Sequence, residues 1–213
     1  MDLDEAYSVK TPEDSRRLYA AWASSYDETF IKANQYVYPR TIAEHFMTQV
    51  AMSEVNTVVD VGCGTGAVGN HLADLQSSCS IDGFDISPEM LAQASTLRRR
   101  DGSPVYSRLV EVDLTKTLPS FEYDAMISAG TFTHGHLGAE TLVSLIQAVR
   151  LGGWLVIGIN AKHFSSQGFG VALDTARKTG AISQPTFVDV QIYGSQSTHY
   201  GDLATIATFR RSM

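Results

Sequence analysis

The chain has few cysteines, few positive charges and no long apolar run, and each shortage excludes a class of protein. Two cysteines are too few for a disulfide framework, and no C-x-x-C spacing suggests a zinc or redox site. With 16 Lys and Arg against 23 Asp and Glu, the net charge of −7 is unsuited to gripping nucleic-acid phosphates. No stretch approaches the roughly 18 consecutive apolar residues of a membrane-spanning helix. Since the acidic N-terminus also lacks an apolar signal region, we expect a cytoplasmic protein with reduced thiols and without nucleic-acid or membrane partners.

The composition is that of a folded protein. Hydrophobic residues make up 44% of the chain and charged residues 18%, which is typical of globular domains. A length of 213 residues suits one α/β domain. We therefore predict a single domain over residues 1–213, with a helical N-terminal cap over 1–50 and a core over 55–213.

Strand and helix patterns alternate between about residues 56 and 180. Helices are predicted over 66–75, from Ser87-Pro88 onward, along the apolar stripe of Leu142, Leu145, Ile146 and Val149, and around 171–176. Strand-like segments cover 56–61, 81–86, 109–114, 123–128 and 154–159. This alternation predicts an α/β fold with a Rossmann-like, mostly parallel sheet and helices on both faces.

The end of the chain departs from the alternation. Residues 187–193 and 203–209 are both strand-like, and about nine residues separate them. Parallel neighbours need a crossover of a dozen or more residues, so these two strands are predicted to be antiparallel. The sheet would then have seven strands, with the last one reversed.

A glycine-rich turn joins the first predicted strand to the first core helix. Gly62, Gly64 and Gly66 allow a tight turn and a close approach of a ligand to the backbone. Asp85 ends the second strand, where a carboxylate accepts hydrogen bonds from ribose hydroxyls. The G-x-G-x-G spacing lacks the G-x-x-G of a dinucleotide dehydrogenase, and Asp60 would repel a pyrophosphate but could hold an ammonium group. The pattern favours a nucleoside with a zwitterionic tail, and S-adenosylmethionine fits this description.

Residues 58–66, V-V-D-V-G-C-G-T-G, resemble the first motif of the class I S-adenosylmethionine-dependent methyltransferases. Residues 83–91, 111–114, 123–129 and 151–155 resemble further motifs of that family, and a reversed seventh strand is another of its marks. The resemblance implies a methyltransferase that uses S-adenosylmethionine and releases S-adenosylhomocysteine. It places cofactor contacts at Asp60, Gly62, Cys63, Gly64, Gly66, Asp85, Ile86, Met90, Asp113, Leu114, Ala129, Tyr19 and Tyr26. At Cys63 the backbone is expected to matter more than the thiol.

The N-terminal segment is rich in aromatic residues. Residues 19–27 resemble the Y-x-x-W-A-x-x-Y-D segment of many small-molecule methyltransferases. Together with residues 130–136 they are similar to the methyltransferase-like proteins of the Williams–Beuren region. The aromatic residues have two interpretations. Trp22 and Phe30 suit ordinary packing, whereas Tyr19, Tyr26 and Tyr38 suit a lid over the cofactor and the acceptor pocket.

Residues 130–137 follow the fourth strand at the carboxyl edge of the sheet, where ligands of such folds bind. His134 and His136 are the candidate catalytic residues there, because histidine can remove a proton near neutral pH. The alternative is that they only shape the loop. Their spacing, without a nearby acidic residue, does not indicate a metal site. The leading hypothesis is a methyltransferase for a small-molecule acceptor, and the alternative is a non-catalytic protein that binds S-adenosylmethionine.

Overall fold

The computed structural model describes residues 9, 11–118, 122–133 and 135–213. The helices are α1 (Pro12–Trp22), α2 (Tyr38–Gln49), α3 (Ala67–Asp74), α4 (Pro88–Ala94), α5 (Ala139–Leu145), α6 (Ala161–Ser166) and α7 (Phe169–Lys178). A π-helix covers Asp27–Lys32, and 3-10 turns cover Met52–Glu54 and Ile146–Ala148. The strands are β1 (Thr57–Val61), β2 (Ser80–Asp85), β3 (Arg108–Glu111), β4 (Tyr123–Phe132), β5 (Val149–Asn160), β6 (Thr186–Gln191) and β7 (Leu203–Arg210).

The seven strands form one sheet in the order β3-β2-β1-β4-β5-β7-β6. β1 pairs in parallel with β2 and β4, β2 with β3, and β4 with β5. β7 is antiparallel to both β5 and β6, which confirms the predicted reversed last strand. The strand order changes direction between β1 and β4, and ligands of open α/β sheets bind beside such a switch point, at the carboxyl ends of the strands.

The strands bury side chains on both faces of the sheet. On β1, Val58 packs with the residues of α2, α3 and α4, whereas Val59 packs with those of α5 and α7. On β5, Val156 belongs to the first cluster and Leu155 to the second. Successive strand residues point to opposite faces. The sheet is therefore covered by helices on both sides, as predicted.

Several predicted elements change, and β4 itself runs to Phe132, so residues 130–132 belong to the strand and do not follow it. The stripe that ends at Val149 is α-helical only to Leu145 and continues as the 3-10 turn, and Val149 instead begins β5 by pairing with Tyr123. The register then jumps to Ala125 opposite Trp154, so residues 150–153 form an irregular insert in the strand. Apolar stripes over so few turns do not separate a helix end from a strand start. The short helix α6 was not predicted.

The N-terminal segment folds over the carboxyl edge of the sheet. Thr11 and Asp14 form a capping box at the start of α1. Trp22 is buried in the core and donates its indole N–H to Thr29 Oγ1 at 2.8 Å, as a packing role requires. Within the described ranges, none of the helices combines the length and the apolar character needed to cross a membrane. The cytoplasmic location stays a prediction.

Candidate functional site

A large cavity lies at the carboxyl ends of the strands, beneath the N-terminal segment. Its lining consists of two halves, defined by the strands whose ends contribute the residues. The glycine-loop half lies at the ends of β1, β2 and β3. It is lined by residues 62–65, 84–86, Met90 and residues 112–115. The tyrosine half lies at the ends of β4, β5 and β6. Its lining includes Tyr36, Tyr38, Thr133, His136, Asn160 and Tyr193.

The three glycines of the turn have different surroundings. A Cβ on Gly62 would lie 1.8 Å from Thr131 Oγ1, and one on Gly66 would lie 2.6 Å from Leu97 Cδ1. A Cβ on Gly64 would meet nothing within 4 Å. Gly62 and Gly64 line the cavity, whereas Gly66 is turned toward packed side chains. Of the three, Gly64 is therefore the one whose missing side chain leaves open space for a ligand.

Asp85 connects the glycine turn to the helix that follows β2. Its Oδ2 accepts the backbone N–H of Gly64 at 2.9 Å, and its Oδ1 accepts that of Ser87 at 2.9 Å. Burial raises the pKa of this carboxyl group, while the backbone donors oppose the rise. A carboxylate has about four acceptor positions, so Asp85 keeps acceptor capacity beyond its backbone donors. It lines the cavity and is placed to receive a pair of hydroxyl groups.

Asp60 requires a correction. Its side chain is fully buried under the turn and is not part of the cavity lining, so it does not reach a ligand ammonium group. Its Oδ2 instead accepts the Tyr106 hydroxyl at 2.7 Å, and the Tyr106 oxygen accepts the N–H of Gly69 at 3.2 Å. Burial raises the pKa of Asp60 to about 7, in spite of the Tyr106 hydrogen bond. Asp60 and Tyr106 together support the turn from below.

The remaining predicted contacts of the glycine-loop half do line the cavity. Ile86, Met90, Leu114 and Cys63 do so with mostly apolar groups. The Cys63 N–H donates to the carbonyl of Phe84 at 3.0 Å. Burial raises the pKa of the Cys63 thiol, so the thiol stays protonated and is a poor nucleophile.

Asp113 also lines this half, and its carboxylate is fixed by residues that follow it. Its Oδ1 accepts the N–H of Thr115 at 3.0 Å and the Thr115 hydroxyl at 2.6 Å. Its Oδ2 pairs with Lys116 Nζ at 2.9 Å. The side chain is thus held in one orientation at the end of β3, although Lys116 itself does not line the cavity.

The N-terminal aromatic residues close the cavity from above. The Tyr19 hydroxyl lies 3.0 Å from His136 Nε2, which joins α1 to the loop after β4. Tyr26 stacks on Phe30 with ring centroids 4.9 Å apart and also lines the cavity. Tyr19, Tyr26 and Tyr38 all line the cavity, and the lid interpretation for them stays a prediction. His134 lies outside the described residues.

A second contact ties the N-terminal segment to the glycine turn. Thr65, on the turn, donates its hydroxyl to Asp27 Oδ1 at 2.7 Å. Asp27 opens the π-helix of the N-terminal segment, one residue after Tyr26. The segment is therefore linked to both halves of the cavity and bridges them. Because the partners are far apart in sequence, no local pattern indicated this contact.

Several residues of the tyrosine half were not predicted as site residues. Tyr193 comes two residues after β6, and Asn160 ends β5, so both lie at the same edge as the loop after β4. The rule that located residues 130–137 would also have found them, since β6 runs parallel to β5. Tyr36 lies beside them because residues 36 and 193 form an isolated antiparallel bridge.

The two halves differ in charge. Asp85 and Asp113 are both in the glycine-loop half, and the described lining contains no lysine or arginine. In the tyrosine half, His136 is the described residue that can take up a positive charge. In the part of the chain that the structure describes, no three His, Cys, Asp or Glu side chains are grouped as metal ligands.

Comparison with known proteins finds a family match over part of the chain. Residues 58–153 match a family described as a methyltransferase domain, and this segment includes the glycine turn, Asp85 and Asp113. In solved structures, the fold is similar to that of magnesium protoporphyrin IX methyltransferase from Synechocystis PCC 6803 with bound SAM. The TM-score is 0.65 at 17% identity, over 94% of this chain and 97% of that one. The similarity to the Williams–Beuren-region proteins stays a prediction.

Two curated relatives differ in what their names say they act on. The mitochondrial ubiquinone biosynthesis O-methyltransferase of Candida albicans is 25% identical over 52% of this chain and 34% of its own length. The tRNA U34 carboxymethyltransferase of Shewanella frigidimarina is 33% identical over 47% of this chain and 30% of its own length. The chain spans about a third of the length of both, so the relatives leave the type of acceptor open.

Proposed function

We propose that the chain is a class I S-adenosylmethionine-dependent methyltransferase and that it methylates a small organic acceptor bound in the tyrosine half of the cavity. One observation carries the proposal. The cavity continues from the glycine turn past the end of β4 into a second half, which is closed by the N-terminal aromatic residues. A protein that only bound the cofactor would not need this second half.

We assign the cofactor to the glycine-loop half. Asp85 would accept the two ribose hydroxyls with its remaining acceptor positions. The adenine would lie among Ile86, Met90 and Leu114, with Asp113 at the edge of the ring. Because Asp60 is sealed beneath the turn, main-chain carbonyl groups at Gly62 and Ala129 replace it as the proposed partners of the ammonium group.

Methyl transfer from a sulfonium is an in-line displacement with a good leaving group. The protein must align the acceptor with the methyl group and exclude water. The lid formed by Tyr19 and Tyr26 would exclude water, and the faces of these rings would attract the sulfonium. Among the described residues, His136 is the one that we propose takes a proton from the acceptor, and its Nε2 is hydrogen-bonded to the Tyr19 hydroxyl.

The test has two steps. Calorimetry with S-adenosylmethionine and S-adenosylhomocysteine first measures cofactor binding, and an absence of binding at high micromolar concentration would refute the cofactor assignment. Transfer of a labelled methyl group to small-molecule acceptors is then measured for the wild type and for His136→Gln. Cofactor binding without transfer to any acceptor would favour the alternative of a non-catalytic binding protein.

A further inference from the structure

Asn160 lines the tyrosine half of the cavity and also caps a helix. It ends β5 and is the N-cap of α6, where its Oδ1 accepts the backbone N–H groups of Lys162 at 3.1 Å and His163 at 3.2 Å. Of the two polar atoms of an amide side chain, only the oxygen can accept from two N–H groups, because the nitrogen is itself a donor. The cap therefore determines which way the amide group of Asn160 is turned.

The amide nitrogen of Asn160 is left for another partner. Among the described residues, none accepts a hydrogen bond from Nδ2. This atom is also absent from the described polar atoms that are both without a partner and sealed from solvent. An amide nitrogen carries two hydrogens that it can donate. Nδ2 is thus a hydrogen-bond donor that keeps access to open space.

The strand directs the side chain of Asn160 toward the tyrosines. Residues two apart on a strand point to the same face of a sheet. Val156 packs in the same cluster as Tyr38 and Tyr193, and a Cβ on Gly158 would lie 1.7 Å from the Tyr38 hydroxyl oxygen. Asn160 is the next member of this row, at the carboxyl edge of the sheet. The open space beside its side chain is therefore the tyrosine half of the cavity.

A group that only donates hydrogen bonds restricts what a bound molecule can present to it. The tyrosine hydroxyls of this half can donate or accept, and the role of each His136 nitrogen depends on the tautomer, so they do not select one kind of partner. A hydrocarbon group placed against Nδ2 would remove its water without replacing the hydrogen bond. Sites built around such a donor reject analogues that lack the matching acceptor atom.

We propose that Asn160 Nδ2 donates a hydrogen bond to a carbonyl-type oxygen of the methyl acceptor. Asn160 would then select acceptors that carry a ketone, amide, ester or carboxylate oxygen in addition to the group that is methylated. This inference rests on the proposed function, because it assumes that the tyrosine half binds the acceptor. It goes further by naming a specificity-determining residue and the chemical class of acceptor that this residue recognises.

The first experiment compares acceptors that share one skeleton and differ in the group offered to Asn160. One set is 3,4-dihydroxyacetophenone, 3,4-dihydroxybenzoate and 4-ethylcatechol, and the corresponding anilines and thiophenols form two further sets. Transfer of labelled methyl from S-adenosylmethionine is measured with the whole chain. We expect kcat/KM for the ketone or the carboxylate to exceed that for the ethyl compound by roughly 10-fold or more. The better of the two oxygen-bearing members shows whether the oxygen is neutral or anionic.

Two outcomes of this experiment overturn the inference. One is equal or better use of the ethyl compounds. The other is a lack of transfer to every set by protein that binds S-adenosylhomocysteine. A failure to bind S-adenosylhomocysteine would instead overturn the proposed function itself, so the two failures are distinguishable.

The second experiment separates recognition from helix capping with Asn160→Asp and Asn160→Ser. Aspartate and serine are both good N-caps, but neither carries an amide nitrogen. In both variants we expect an unchanged urea midpoint, an unchanged affinity for S-adenosylhomocysteine, and a loss of kcat/KM for the oxygen-bearing acceptor of roughly 10-fold or more. Use of the ethyl compound should stay the same. Asn160→Asp should in addition gain activity on 4-(1-aminoethyl)catechol, since a carboxylate accepts a hydrogen bond from an ammonium group.

Asn70→Asp is the matched control for the added charge. Asn70 lies on α3 and is not part of the cavity lining, so this variant should keep the wild-type preference among the acceptors. If Asn160→Asp and Asn160→Ser keep that preference as well, Asn160 acts only as a cap and the assignment is wrong. A lower midpoint in both variants together with an unchanged preference would lead to the same conclusion.

Discussion

The glycine turn offers the sharpest test of where the cofactor lies, because its glycines are present for different reasons. Gly64 has φ of +54° and open space where a Cβ would be, whereas at Gly62 the same atom would lie 1.8 Å from Thr131 Oγ1. Alanine in the left-handed region costs roughly 1–2 kcal/mol of stability. Gly64→Ala should cost that amount and no more, because its methyl group meets no protein atom. The same methyl group would, however, occupy the space through which the cofactor approaches the backbone.

Gly102→Ala is the matched control for Gly64→Ala. Gly102 has φ of +85° and nothing within 4 Å of its Cβ position, but it does not line the cavity. Both variants should therefore lose roughly 1–2 kcal/mol in urea unfolding. Only Gly64→Ala should lose affinity for S-adenosylhomocysteine, by at least 10-fold, which is about 1.4 kcal/mol.

Gly62→Ala is expected to be the least stable of the three glycine variants. Its Cβ would push against Thr131, whose hydroxyl donates to the carbonyl of Val61 at 3.0 Å. The backbone strain and the overpacking together should cost roughly 2–5 kcal/mol, so this variant should be clearly less stable than Gly64→Ala. Unfolding is measured without ligand, and binding is measured by calorimetry on folded protein. If Gly64→Ala binds S-adenosylhomocysteine as tightly as Gly102→Ala does, the cofactor does not lie against Gly64 and our reasoning is wrong.

Three further predictions concern single side chains. Asp85→Ala should weaken the binding of S-adenosylhomocysteine by roughly 1–3 kcal/mol, since charge-assisted hydrogen bonds to the ribose are lost; calorimetry measures this. Asp60→Asn should flatten the pH dependence of stability. The pKa of Asp60 is about 7 in the folded protein, against roughly 3.9 in the unfolded chain. The preference of the fold for the protonated carboxyl group therefore contributes its full stability below pH 4, and this stability is lost as pH rises through 7. In urea unfolding, the stability of the variant relative to the wild type should rise by up to about 3 kcal/mol from pH 5 to pH 8. Tyr19→Phe should raise the Kd for S-adenosylhomocysteine by roughly 2- to 10-fold, the value of one neutral hydrogen bond, because the contact with His136 is lost.

Each of these predictions has an outcome that would contradict it. An unchanged affinity in Asp85→Ala would rule out the ribose contact. Parallel stability curves for Asp60→Asn and the wild type would mean that Asp60 is ionised throughout this pH range. For Tyr19→Phe the control is Tyr200→Phe, an exposed phenol outside the cavity lining, and equal affinities in the two variants would argue against a lid.

The strands of the sheet could be predicted because each one is marked by a local sequence pattern, and the patterns together indicate one sheet. Short β-branched runs marked the strands, and a linker too short for a crossover required β7 to be antiparallel. The start of β5 could not be predicted, since Val149 suits the apolar stripe of a helix as well as the first residue of a strand. Its actual state depends on pairing with Tyr123, which is distant in sequence.

Residues of the site could be predicted only where a single sequence motif contains them. Gly64, Asp85 and Asp113 were found from their places in motifs, and each lines the cavity. Asp60 has an equally good place in its motif, but its carboxylate is turned inward to a tyrosine that lies 46 positions along the chain. Whether a side chain next to a turn faces the ligand or the core depends on what packs beneath the turn, and a motif does not contain that information.

The uneven charge of the cavity bears on how the proposed reaction would end. Before transfer, the positive charge is on the sulfonium, beside the half that holds Asp85 and Asp113. When a neutral acceptor attacks, that charge moves with the methyl group into the tyrosine half, where no described carboxyl group faces it. The new cation must then be stabilised by the faces of the tyrosine rings or lose a proton. His136 lies in the tyrosine half and is hydrogen-bonded to Tyr19, so its loss should slow turnover of hydroxyl acceptors more than turnover of amines, whose methylated products are stable as cations.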